Sequence, residues 1–296
     1  MRLAGIGAAA IAAGLMTGGD AHADRLTLEE TESGHLAVEA RINGSVPLRF
    51  LPDTAASHTA IAEPLAMKLG YDPGLERRDD VDALTQQIEA DRHPVEIAVA
   101  DLTRAVDAVV IDVAPDTTLS AFGLLGTDFF DGLTVEYDLE ELTLDLDAGP
   151  PERIDGRIPP ERRVLVAETR MPGVRDPVQV LIDTGSPTTL VNPTLAERAY
   201  GVDRPITVTI NGVQGRTDDS RRAVPLTDIE VGGWCARRAW ALESDLYIFN
   251  AMGWSGRPAL ILGLDQLAGS RIVVDYEEGV FQIDGPEDQS CGRRHG

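Results

Sequence analysis

The chain has 296 residues, 49 of them acidic against 26 basic, with a formal net charge of −23 and an isoelectric point near 4.5. So acidic a chain argues against nucleic acid and anionic membrane as partners. Two cysteines and five histidines without ligand spacing argue against a disulfide framework or a metal site, and no cofactor is implied.

Residues 1–23 read as a secretory signal: Arg2, an Ala-rich apolar core from Leu3 to Met16, then the small-x-small signature Ala21-His22-Ala23. The mature chain is expected to begin at Asp24 and to be exported, periplasmic or secreted. An uncleaved anchor is the alternative. No later stretch is long and apolar enough to span a bilayer, so stable membrane insertion is not expected after cleavage.

The first lobe is assigned to 24–148. His35 to Ile42 alternates with period two and turns at Asn43-Gly44. The run Leu48-Arg49-Phe50-Leu51-Pro52 leads into Asp53-Thr54-Ala55-Ala56-Ser57. A short helix follows over Glu63 to Leu69, with Pro64 in its first turn. Strands are predicted at Pro94 to Val99 and Ala105 to Ile111, then the signature Leu124-Leu125-Gly126-Thr127-Asp128. Leu133 to Tyr137 and Leu142 to Leu146 bracket a tight turn.

Residues 149–160 are rich in proline and glycine and read as an ordered linker with little secondary structure. The second lobe, 161–287, repeats the plan. Val180-Leu181-Ile182 leads into Asp183-Thr184-Gly185-Ser186, Pro193 opens a helix to Tyr200, and Ile261-Leu262-Gly263-Leu264-Asp265 is the distal signature. Ile272 to Tyr276 and Val280 to Ile283 form a last hairpin, and 288–296 is a tail. Cys235 and Cys291 are either a disulfide tying that tail back or two unpaired thiols.

The repeat is in register. Asp183 minus Asp53 is 130, and Thr189 against Thr59 keeps that offset. Gly263 minus Gly126 is 137, as is Asp265 minus Asp128. A period this long is a duplicated domain. Two half-sites that each bring one carboxylate to a strand end are what a water-activating acid–base pair needs.

On these residues the mature chain resembles the retropepsin-like and pepsin-like aspartic proteases, as two retropepsin-type lobes fused in one polypeptide. The resemblance implies a mainly β fold: two pseudo-symmetric barrel lobes with short helices and a cleft between them. It implies an aspartic-type endopeptidase acting on an extended peptide, with catalytic Asp53 and Asp183 and no metal or cofactor. A monomer is expected, since both half-sites lie in one chain. Thr54 and Thr184 match the threonines that bond across to the opposite lobe. Gly185 allows a tight turn, Ser186 is placed to bond Asp183, and Gly126 and Gly263 match the position where a strand passes behind the motif loop. Asn211-Gly212-Val213-Gln214-Gly215 has hairpin turn chemistry and is the flap candidate. The stretch from Leu84 to Asp91 lacks glycine, and no flap tyrosine is evident.

The first motif departs from the pattern. Ala55 replaces glycine, which costs about 1–2 kcal/mol if that backbone needs positive φ. Pro52 removes a strand donor. Two further readings therefore stay open: a catalytically impaired peptide-binding protein of the same fold, and strand-end turns in an unrelated acidic β-protein. Asp128 and Asp265 read as helix N-caps, and Trp234, Trp240 and Trp254 as core or cleft wall.

Overall fold

A computed structural model describes residues 25–73, 78–112, 121–199, 205–212, 215–236 and 238–286. The expected signal segment, Cys291, and Val213 and Gln214 of the flap candidate lie outside them. Among the described residues the chain forms 23 strands and four short helices, the mainly β architecture of two related lobes that the sequence implied. None of these helices is long and apolar enough to cross a membrane.

Each lobe is built around one buried strand leading to a motif. In Leu48–Pro52 the last three residues are buried, and in Val178–Ile182 all five are. Strands covered on both faces read as continuous apolar runs rather than alternations, which is why these two stand out in the sequence. Leu48–Pro52 pairs in parallel with Gly123–Leu125, and Val178–Ile182 pairs in parallel with Ala259–Leu262. The strand just after each motif, Ala60–Ala62 or Leu190–Val191, lies antiparallel on the far side of the distal strand. In the first lobe Leu36–Ile42 pairs with both Leu48–Pro52 and Gln87–Val99, which curls the eight-stranded sheet back on itself.

The helices are brief, and two of them follow the strand after each motif. Glu63–Lys68 and Pro193–Arg198 both open with proline in the first turn, where the missing N–H leaves no acceptor unsatisfied. Asn192 caps the second by accepting from the Leu195 N–H at 2.9 Å.

The lobes are joined by a shared sheet. Thr134–Asp138 of the first pairs antiparallel with Arg271–Asp275 of the second, with Glu136 opposite Val273. Since 273 minus 136 is 137, each residue of the central pair faces its own repeat. The local twofold passes between them, relating Thr134↔Asp275 to Asp138↔Arg271. Thr143–Asp145 and Leu26–Thr27 extend this sheet on one side, Val280–Asp284 and Gly156–Arg157 on the other. One continuous core follows, with Phe50, Phe129, Phe130, Tyr137, Trp234 and Phe281 fully buried.

The segment 149–160 holds one two-residue strand, Gly156–Arg157, which bridges Val280–Asp284 and the second-lobe strand Val166–Thr169. A side chain at Gly156 would run into the Phe281 ring at 2.2 Å, so glycine there is a packing requirement. Trp234 and Trp254 are buried, but Trp240 is 53% exposed, because it faces outward on Ala239–Glu243, where Ala239 and Ala241 point inward. Cys235, buried on Trp234–Ala236, is disulfide-bonded.

Phe281 ties the inter-lobe sheet to the connecting strand. Phe281→Ala should cost about 3–5 kcal/mol, read as the shift in urea unfolding followed by far-ultraviolet circular dichroism. A loss below about 1 kcal/mol would mean the lobes do not depend on this seam.

Candidate active site

The two motif loops meet at the local twofold. Strand sheets deliver each aspartate by its backbone: Asp53 N–H donates to Leu125 O and Asp183 N–H to Leu262 O, both at 3.0 Å. The next residue in each motif crosses to the other lobe. Thr54 N–H donates to Thr184 Oγ1 and Thr184 N–H to Thr54 Oγ1, each at 3.1 Å. Thr54 Oγ1–H donates to Ile182 O at 2.8 Å, and Thr184 Oγ1–H to Pro52 O at 2.7 Å. Both threonines are buried, so the interlock forms in a medium where an unmet donor is costly. Pro52 takes part through its carbonyl, and its missing N–H falls at the last residue of its strand. In the second lobe the matching N–H, of Ile182, donates to Leu165 O.

Ala55 and Gly185 hold equivalent places. Ala55 N–H donates to Asp53 Oδ1 at 2.8 Å, and Gly185 N–H to Asp183 Oδ1 at 2.9 Å. Neither has positive φ, so the backbone cost foreseen for Ala55 does not arise. What demands glycine at 185 is the opposite lobe: an added Cβ would lie 2.2 Å from Asp53 Oδ2. The Ala55 methyl instead packs beside the apolar cluster of Leu181, Leu190 and Phe249.

The distal signatures clamp the loops from behind. Asp128 Oδ1 accepts from Thr59 N–H and Oγ1–H, both at 2.7 Å, and Thr59 Oγ1 accepts from Gly126 N–H. Asp265, Thr189 and Gly263 repeat the arrangement at 2.8, 2.6 and 3.0 Å. The N-cap expectation for these aspartates is therefore corrected. Asp128 precedes no helix, and Asp265 lies inside Leu264–Leu267 and reaches back to Thr189. Cβ atoms at Gly126 and Gly263 would strike the backbone of His58 at 2.4 Å and of Thr188 at 2.6 Å. Ser186 also needs correction. Its hydroxyl donates to Thr188 O at 2.9 Å, bracing the loop, while its backbone N–H serves the Asp183 carboxylate.

Burial pushes the Asp53 carboxyl up to about 6, partly offset by the N–H groups of Ala55 and Ala56. Asp183 is raised well above the carboxylate range, first by burial and then by the charge of Asp53, with the N–H groups of Gly185 and Ser186 opposing. Burial and, at Asp183, the neighbouring charge both favour the protonated form, and the titration belongs to the pair.

A cavity of about 320 Å³ opens over the pair. Its floor is Asp53, Asp183 and the motif loops. Its apolar walls include Leu51, Leu124, Val109 and Ile111 on one side and Leu181, Leu190 and Ile248 on the other. His35 and His58 also line it. Each accepts or donates at Nδ1 to a neighbouring serine hydroxyl, Ser33 at 2.8 Å and Ser57 at 2.9 Å, and burial lowers both.

The described roof comes from the first lobe, where no flap was foreseen. Arg78–Asp82 and Gln87–Val99 form a hairpin whose Val81, Ala83, Leu84 and Ile88 face the cavity. Its turn is closed by Ala83 N–H to Gln86 O at 3.0 Å with no residue at positive φ, so it needs no glycine, and the turn signal was absent for that reason. The flap candidate is also a hairpin, Pro205–Gly212 with Gly215–Leu226, paired through Asn211↔Arg216 and closed at Gly212↔Gly215. Thr59 and Thr189 were missed as site residues, although their shared offset was visible.

A two-lobed β-protein that brings one Asp-Thr motif from each half to a common, buried dyad is an acid-protease architecture. The family model for aspartyl proteases matches residues 38–129 and 167–265, one match in each lobe, and the chain belongs to that family. No curated protein matches it.

Because the dyad holds a proton in the folded state that separate carboxylates release near 3.8, its contribution to stability is fully present below that pH. It is lost as pH rises through about 6 and beyond. The variant Asp53→Asn/Asp183→Asn should therefore gain stability over the parent between pH 4 and 7, approaching about 1.4 kcal/mol per pH unit for each proton the folded pair retains. Urea midpoints at each pH test this, and a constant difference would contradict it.

Proposed function

We propose that the protein is an aspartic-type endopeptidase that cleaves extended peptide segments with a water molecule activated between Asp53 and Asp183. The ionised member of the pair takes a proton from the water as its oxygen attacks the scissile carbonyl. The protonated member donates a hydrogen bond to the carbonyl oxygen as charge develops there. Collapse of the tetrahedral adduct breaks the C–N bond, and the proton taken from the water passes to the leaving nitrogen. Apolar walls on both sides of the dyad suit side chains alternating along an extended chain. The N-terminal signal character supports export, and the presence of both half-sites in one chain supports a monomer.

The observation that carries this reading over the impaired one is the equivalence of Ala55 and Gly185. Both N–H groups hold their own aspartate at the same distance within 0.1 Å, at 2.8 and 2.9 Å, without positive φ. The irregular motif thus keeps the bond that a working half-site needs.

The test is a diverse peptide mixture incubated with the mature chain, with new termini read by mass spectrometry. Asp53→Asn and Asp183→Asn should each lower the rate roughly 10²–10⁴-fold. Below about pH 6 the pair takes up its second proton and loses its base, so kcat/KM should fall on that side. Peptides bound but uncut by the parent at every pH would favour the binding protein. Cutting that survives Asp53→Asn would show that the first half-site is dispensable.

A further inference from the structure

The hairpin over the cleft is fastened to the opposite lobe, and the fastening stands apart from the dyad. Its turn carbonyl, Leu84 O, accepts the Ile248 N–H at 3.2 Å. Ile248 sits in the first turn of the helix Tyr247–Ala251, where an N–H has no acceptor within its own helix. Leu84 supplies the missing one. The Leu84 side chain packs beside second-lobe Leu181, Leu190 and Phe249. At the edge of the same turn, Asp82 Oδ1 accepts from Tyr247 Oη–H at 2.9 Å, and Asp82 Oδ2 lies 3.7 Å from Arg162 Nη1.

We propose that this hairpin is a latch bolted across the cleft, with Asp82 as its pin, and that Asp82 and Tyr247 thereby set which peptide chains the site admits. The inference rests on the peptidase reading for its substrate, but not for the latch itself. Two features make such a latch reversible. Arg78–Asp82 is the outermost strand of its sheet, so only one ladder supports the hairpin on that side. The Asp82 contacts are exposed, and exposed polar contacts of this kind are individually weak. A third feature makes opening necessary. About 320 Å³ lies at the bottom of the roughly 300–1,000 Å³ range that holds one small molecule, whereas an extended peptide occupies several side-chain pockets. The hairpin must lift for a chain to lie across the dyad. A short peptide needs a brief opening, and a long chain needs the roof held off while its flanks settle. Loosening the pin should favour the long chain selectively.

The test compares the parent with Asp82→Ala/Tyr247→Phe, neither residue belonging to the catalytic machinery. Hydrogen exchange at the Ile248 amide reads the latch directly, and kcat/KM for an octapeptide and for an unfolded, carboxymethylated protein reads its consequence. Exchange at Ile248 should quicken by about tenfold, with the motif-strand amides unchanged. The ratio of kcat/KM for the unfolded protein to that for the octapeptide should rise about fivefold or more. Unaltered exchange at Ile248, or both substrates changing equally, would overturn the proposal. Quickened exchange in a protein that cuts neither substrate would uphold the latch and count against the peptidase reading alone.

Discussion

The reciprocal bonding of Thr54 and Thr184 is the constraint on which the site depends. Each lobe alone ends its motif strand in a loop whose aspartate has a backbone anchor and whose threonine has none. Only the other lobe provides one, so neither half-site is complete until the two are docked. A barrel repeated in one chain thus becomes a single active site through four buried hydrogen bonds on a local twofold. The shared sheet, with Glu136 opposite Val273, sets that twofold at a distance, and the threonines fix it at the carboxylates.

The symmetry is incomplete in ways that follow from chemistry. Gly185 approaches the Asp53 carboxylate too closely for any Cβ, whereas Ala55 carries a methyl group that packs beside the second-lobe cluster and the hairpin tip. Asp183 is the more deeply buried of the two acids and feels the charge of Asp53. Glu136 at the centre of the shared sheet is buried and paired with Arg271, where its repeat is Val273. The duplicated halves have diverged where one side of a pair can differ without opening the interlock.

Much of this was legible because the motif strands are buried on both faces, and continuous apolar runs ending in Asp-Thr declare themselves. The two offsets gave the two lobes, and the glycines of the distal signatures marked a close backbone approach. Other features left no local trace. The central sheet pairs strands more than 130 residues apart, as at Tyr137↔Ile272, and nothing near either strand names its partner. The roofing hairpin turns without glycine or positive φ, so its sequence carries no turn signal. The roles of Asp128 and Asp265 leave no local trace because the donors they accept from, Thr59 and Thr189, lie across the fold, and local capping is the nearer explanation for an acid after a glycine. What decides between glycine and alanine in the motifs is the facing surface and not φ: Gly185 meets the Asp53 carboxylate, whereas Ala55 meets an apolar cluster.

The interlock is tested most directly by a double-mutant cycle of Thr54→Val and Thr184→Val, with unfolding free energy and peptide cleavage measured on all four proteins. If the threonines act as one unit, each single change strands a buried donor and acceptor and costs about 2–4 kcal/mol. The double change should then cost at least about 1 kcal/mol less than the two together, with cleavage lost in every variant. Additive, small losses with cleavage retained would contradict the account, and the dyad's spacing would have to be set by the shared sheet alone.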